Sequence, residues 1–307
     1  MEPKFKYSNI DLGILNVKIP ILEIGKQDSK KRMAITCCIH GNETSSLFII
    51  QSILSAIDEN KLKGYMKIIL ISNPIANFFN GRCSPKDLQD MNRVAPGNND
   101  GSITERVCRA VLNEIILCNY YIDIHEWSIQ SLIQCIVMEN TDANVQEESK
   151  KMIDIFNPDI VTILDSRYIN SVYGFLNIKR KIPGFTLELS NNTINNDIEK
   201  ERIVKSIINI LVYLEIYDEQ NEYFNNNSYV KIKKVEKYIT QRSGLFFPEK
   251  KIGDKIKKED RIGYLLDLNL KDRIELYWKE DKGIVIQMLT KKYVNAGELV
   301  YIIAESN

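Results

Sequence analysis

Histidine is scarce in this sequence: His40 and His125 are the only two among 307 residues. Any site that needs two imidazoles must therefore use both. Charge of either sign is not in excess, since Lys plus Arg and Asp plus Glu each number 41. That balance argues against a general binder of nucleic acid or another polyanion, which carries a basic surplus. No stretch approaches the roughly 20 apolar residues that a membrane span needs. The opening residues "MEPKFKYSNIDLG" have no apolar core followed by a small-residue cleavage site, so a cytoplasmic protein without a signal peptide is expected. None of the six cysteines (Cys37, Cys38, Cys83, Cys108, Cys118, Cys135) forms a CxxC pair. They lie among apolar residues, and in a reducing compartment they are expected as free, mostly buried thiols. No internal repeat is present.

What remains is the composition of an ordinary globular chain, long enough for a sizeable core and two domains. The first two thirds alternates short apolar runs with helical periodicity. "MAITCCI" (33–39), "MKIILIS" (66–72), "YYIDIH" (120–125), "IQCIVM" (133–138), "DIVTIL" (159–164) and "GFTLEL" (184–189) read as strands. "TSSLFIIQSILSAI" repeats Leu47, Ile50, Leu54 and Ile57 at helical spacing, with Thr44 or Ser45 able to cap its start. Residues 104–118, 144–156 and 197–216 read as further helices. This alternation predicts an α/β domain whose mixed, largely parallel sheet lies between helix layers. From about Glu222 the helical period stops, and short strand-like runs separated by Gly and charged turns predict a small all-β barrel or sandwich. The expected division is 1–220 and 221–307.

In open α/β sheets, ligands bind where strands end. One strand ends in "HGNE", offering His40 and Glu43; another ends in "DIH", offering Asp123 and His125. Two imidazoles and a carboxylate are the hydrolytic zinc set, leaving one coordination position for water. Asp123 shares a strand face with His125 and suits support of a ligand imidazole or a nearby arginine. Taken alone, "HxxE" is a weak signal, and a histidine near a strand is more often structural. The long polar connection 73–97 adds Arg82, Asn92 and Arg93. Arginine forks match carboxylates and can stabilise a developing oxyanion, although most loop arginines are simply solvated. Glu188 is a lone carboxylate in an apolar strand, where burial would raise its pKa into a useful range for a base. A cysteine nucleophile wants a histidine partner, so Cys38 beside His40 keeps a thiol hydrolase as an alternative.

In order, "HGNE", "NP.A.....R..P.D...MNR..PG", "D.H" and "TLEL" resemble the succinylglutamate desuccinylase/aspartoacylase family, which is related to the zinc carboxypeptidases. The tail resembles the C-terminal barrel that many members carry, itself similar to a biotinyl/lipoyl carrier domain. The resemblance implies one Zn²⁺ per chain held by His40, Glu43 and His125. It implies Glu188 as general base and Arg82 as the group that polarises the scissile carbonyl. Asn92 and Arg93 would hold the carboxylate of a small N-acyl substrate. The implied activity is hydrolysis of the amide of an N-acyl amino acid or related N-acyl amine. A metallocarboxypeptidase acting on peptides and a non-catalytic metal-binding relative are the alternatives. The chain departs from the family at Ala95, where many members have Phe, and at Glu126 and Trp127, where small or hydroxylic residues are usual and an unusual acyl pocket is the expectation. Arg167 and Tyr168 are the candidates for further substrate contacts. For the tail, a lid or homo-oligomer role is favoured over modification of Lys282, because carrier lysines sit at an exposed hairpin tip.

Overall fold

The computed structural model describes residues 3–140, 142–220, 228–232 and 234–305. Among the described residues, ten strands precede residue 233: β1 (Lys4–Asp11), β2 (Asn16–Gly25), β3 (Arg32–Cys37), β4 (Tyr65–Ile69), β5 (Tyr120–Glu126), β6 (Gln130–Ser131), β7 (Gln134–Met138), β8 (Ile160–Leu164), β9 (Gly184–Leu189) and β10 (Val230–Ile232). Nine of them form one sheet in the order β1-β2-β4-β3-β5-β9-β7-β8-β10. Its centre is parallel, and antiparallel pairings occur at β1–β2, β2–β4 and β9–β7. The expected mixed, largely parallel sheet is what forms.

The helices are α1 (Ser45–Ala56), α2 (Pro74–Phe78), α3 (Ile103–Ile115), α4 (Ala143–Phe156), α5 (Val172–Gly174) and α6 (Asp197–Tyr213), with a π-helical turn Phe175–Lys179 continuing α5. They divide the core in two. On one face Ile49, Ile50 and Ile53 of α1, Met152 and Phe156 of α4, and Ile203, Ile207 and Leu211 of α6 pack on Met33, Ile35, Ile122, Ile124, Phe185 and Leu187. On the other, Val107, Cys108, Val111 and Ile115 of α3 pack with Ala34 and Tyr121. Side chains alternate along a strand, so Thr36, Asp123, His125, Thr186 and Glu188 all project to the α3 face. That face carries the polar residues of the central strands.

The hairpin β1–β2 extends the sheet ahead of the alternating pattern and was not foreseen from the sequence. Its outer strand exposes Phe5 and Tyr7 while only every second residue is half-buried, so it carries no apolar run.

The C-terminal strands are β11 (Val235–Ile239), β12 (Gly244–Pro248), β13 (Lys255–Lys257), β14 (Arg261–Asp267), β15 (Arg273–Tyr277), β16 (Lys282–Met288), β17 (Lys292–Val294) and β18 (Leu299–Glu305). They make two antiparallel sheets, β11-β18-β16-β13 and β15-β14-β12-β17, around Phe246, Trp278, Val285 and Tyr301. Strand pairings cross the expected division at residue 220, which adjoins residues outside those described. β10 still pairs with β8 in the large sheet, and β6 pairs with β16 of the tail. Lys282 opens β16 opposite Lys257; it is a strand residue, not a hairpin tip.

Candidate active site

β3 ends at Cys37, and Cys38 takes a left-handed conformation (φ 54°) that turns the chain out of the sheet. Gly41 follows at a point where α2 closes in. A Cβ there would stand 2.1 Å from the Ala76 carbonyl carbon and the Asn77 nitrogen, so only glycine fits. The Asn77 side-chain Nδ2 donates to the Gly41 carbonyl at 2.8 Å. This packing fixes the loop that carries His40 and Glu43. In the neighbouring strand, β5 delivers His125 in register with Glu188 of β9.

The three predicted ligands converge. His40 Nδ1 lies 2.7 Å from Glu43 Oε1 and 3.1 Å from His125 Nδ1, and His125 Nδ1 lies 2.8 Å from Glu43 Oε2. All three residues are buried, and their donor atoms lie within 4.8 Å of one another. The edge of a zinc tetrahedron with N and O ligands is about 3.3 Å, so the set is close to the required spacing and slightly contracted.

The outer nitrogens are engaged on the far side. His40 Nε2 donates to Asp90 Oδ1 at 3.0 Å. His125 Nε2 lies 3.1 Å from Asp123 Oδ2, a charge contact outside hydrogen-bond geometry. Asp123 Oδ1 is held by the Thr36 hydroxyl at 2.6 Å. A carboxylate against each outer nitrogen favours a proton there and leaves both Nδ1 lone pairs facing inward. The donor set therefore fits a divalent cation of the zinc type.

The charges bear this out. Burial alone would push Glu43 up, but His125 and His40 outweigh it and hold the carboxyl down at about 2. Burial opposes charge on His125, and Asp123 and Glu43 override it, raising its pKa well above the ordinary value. A cation in the centre would take the place of that proton.

Glu188 behaves differently. Burial, with Glu43 and Asp123 adding to it, pushes its carboxyl up to about 7 against the opposing pull of His125 and His40. Arg82 is half exposed. Its Nη2 donates to Asp90 Oδ2 at 2.9 Å and its Nη1 reaches Glu43 Oε1 at 3.4 Å. Asn92 Oδ1 accepts from the Val172 amide at 2.9 Å, leaving Nδ2 3.4 Å from His125 Nε2. Arg93 stands further out. Its Nη1 donates to the Asn92 carbonyl at 2.7 Å, and its guanidinium lies 5.9 Å from the centre of the Tyr168 ring. Arg167 is committed to Asp165, with Nη2 2.8 Å from Oδ2. Of the two further candidates, Tyr168 is thus the one that touches a predicted site residue.

Sequence reading passed over Asp90. It accepts from His40 Nε2, from Arg82 and from the Asn92 backbone amide at 2.8 Å. One carboxylate thereby joins a ligand, the loop arginine and the turn bearing Asn92 and Arg93. Its signal was present as an acidic residue two positions before "NR", but nothing local distinguishes it from a loop aspartate. Glu126 has a different part from that expected. It projects to the face opposite His125, and its carboxylate accepts from Ser45 N–H at 3.1 Å at the start of α1. Thr44 makes no side-chain cap there. The Glu126 backbone N–H also holds Glu43 Oε2 at 3.2 Å. Trp127 donates its backbone N–H to Leu189 at 2.9 Å, and its buried Nε1 has no partner. The thiol alternative fails: burial pushes Cys38 up to about 12, and its Sγ donates to the Glu43 carbonyl instead of meeting an imidazole.

The fold is that of several solved structures. It matches a succinylglutamate desuccinylase/aspartoacylase from Rhodobacter sphaeroides with a TM-score of 0.82 at 18% identity, over 99% of this chain and 96% of the other. It matches the product-bound ectoine utilization protein EutE of Ruegeria pomeroyi with a TM-score of 0.83 at 18% identity, over 98% and 94%. A curated relative, the N-alpha-acetyl-L-2,4-diaminobutyric acid deacetylase of Halomonas elongata, is 25% identical over 123 residues. That stretch is 40% of this chain and 36% of the relative, so the match spans about a third of the relative's length. The solved structures share this chain's fold. The sequence pattern of the succinylglutamate desuccinylase/aspartoacylase catalytic domain matches residues 29–213, and the chain belongs to that family of deacylases.

Proposed function

We propose that this chain hydrolyses the amide bond of a small N-acyl amino acid or related N-acyl amine, using one zinc ion held by His40, Glu43 and His125. The observation that carries the reading is the inward convergence of those three donors, with a half-buried carboxyl, Glu188, on the next strand. Zinc bound there would supply Lewis acidity, acidifying water and polarising a carbonyl.

The remaining work falls to the chain. Glu188 would accept a proton from water and return it to the departing amine. Arg82 can turn from Glu43 and Asp90 to donate to the oxygen on which negative charge develops. Asn92 Nδ2 and the Arg93 guanidinium are the donors for a substrate carboxylate, and Tyr168 steadies Arg93 from below.

The test is a panel of N-acetyl, N-succinyl and N-aspartyl-type acyl amino acids and short peptides, assayed after chelation and after zinc is restored. Turnover of an acyl amino acid that vanishes with chelator and returns with zinc is expected. Cleavage of peptides alone, or turnover indifferent to chelator, refutes the reading.

A further inference from the structure

Apart from the metal-type group, a cavity of about 460 Å³ opens to solvent beside Ala95 and Pro96, which follow the Asn92–Arg93 turn. Its wall consists of Ala95, Pro96, Ile169, Asn170, Phe175, Lys179 and Arg180. None of these belongs to the His40–Glu43–His125 group. The size lies within the range of small-molecule sites. Phe175 to Lys179 is the π-helical turn, a wide turn that recurs at functional sites. The cations of this wall are not used elsewhere. Lys181 is paired with Asp142 at 2.9 Å and Arg167 with Asp165 at 2.8 Å, but no carboxylate among the described residues pairs with Lys179 or Arg180. The cavity is therefore apolar along Ala95, Pro96, Ile169 and Phe175, with two exposed, unneutralised cations at its edge. Ala95 contributes only a methyl group, which leaves the space open.

We propose that this cavity is a second ligand site, and that it takes a small monocarboxylate with a compact apolar body. The apolar part would lie on Phe175 and Ile169, excluding water from that surface, and the carboxylate would meet Lys179 and Arg180. Pro96 and Ala95 join this site to Arg93, two residues upstream. The ligand is either a free acid or the distal end of a longer substrate; both present the same chemistry here.

The experiment is calorimetric titration of phenylacetate, with phenylacetamide as its neutral isostere, into the zinc-loaded chain. Phenylacetate should bind with a sub-millimolar Kd, and phenylacetamide about tenfold more weakly. The double substitution K179A/R180A, both at exposed positions, should bring phenylacetate down to the level of the amide. A95F should remove binding of both by filling the space, with thermal unfolding recorded to show that the variant folds. H125A should keep phenylacetate binding, because the site lies outside the metal centre. R93A should likewise keep phenylacetate binding; loss in R93A would put the ligand on the carboxylate donors of the proposed active site and overturns the proposal. No binding at about 10 mM, equal affinity in K179A/R180A, or loss in H125A alone each overturns the proposal.

Discussion

Glu188 combines two properties that a base near neutrality needs: it stands beside His125 in the ladder, and burial pushes its carboxyl up to about 7. The sign follows from the direction of the shift. The folded chain keeps this proton to about pH 7, while the unfolded chain releases it in the ordinary carboxylate range. The stabilisation present at low pH is therefore lost as pH rises through 7. The metal-free E188Q variant is expected to unfold at a higher temperature than the parent at pH 8, and the two should draw together toward pH 5; calorimetric scans at both pH values decide it. In the zinc-loaded protein, E188Q should lower kcat by at least about 100-fold with zinc content unchanged. Asp90 acts through others. Removing it as D90A leaves His40 Nε2 and Arg82 without their shared acceptor and should weaken zinc binding by about tenfold or more, read by competition with a chelating dye. D90N, which keeps one acceptor oxygen, should recover part of that loss.

At the scale of elements, the site depends on how α1, α2 and β5 meet. Gly41 lets α2 lie against the loop before Glu43, and Glu126 ties the end of β5 to the first amide of α1. G41A forces two backbones apart and is expected to cost several kcal/mol, the scale of a backbone clash in a packed interior; a fall in the denaturant midpoint at unchanged slope would show it. The long connection 73–97 is equally constrained. Asp87 accepts from the Thr104 amide and hydroxyl, each at 2.8 Å, and the Ala95 amide donates to Asn170 at 3.0 Å. These anchors make a polar loop a fixed wall, which is how Arg82, Asn92 and Arg93 come to positions that strand geometry does not supply.

For the whole molecule, the tail is fastened to the strand that carries His125. The segment after β5 sends Ile129 into the tail's core and pairs Ser131 with Gln287. Ile286, Ile302 and Ala304 pack with Ile160 of the large sheet. No helix among the described residues is long and apolar enough to cross a membrane. A chain cut after residue 232 would expose Ile160 and leave β6 unpaired; it should aggregate or lose its cooperative unfolding transition, as gel filtration and thermal scans would show. Zinc at about 100 times its Kd should stabilise the full chain by about 2.7 kcal/mol, and H125A should abolish that zinc-dependent rise in Tm.

The sequence by itself determined the alternation of elements, the parallel heart of the sheet and the three inward donors. Apolar runs and helical period report burial directly, and two histidines leave few ways to build a metal site. It also marked Glu188, since a carboxylate between buried leucines stands out in one dimension. The tertiary structure alone decided the rest. The β1–β2 hairpin is half-exposed and carries no run; β10 and β6 exchange partners across the expected boundary; Asp90 and Glu126 owe their parts to residues 50 and 81 positions away. Periodicity encodes which face is dry, whereas hydrogen bonds between distant loops depend on where the chain returns, and no local pattern carries that.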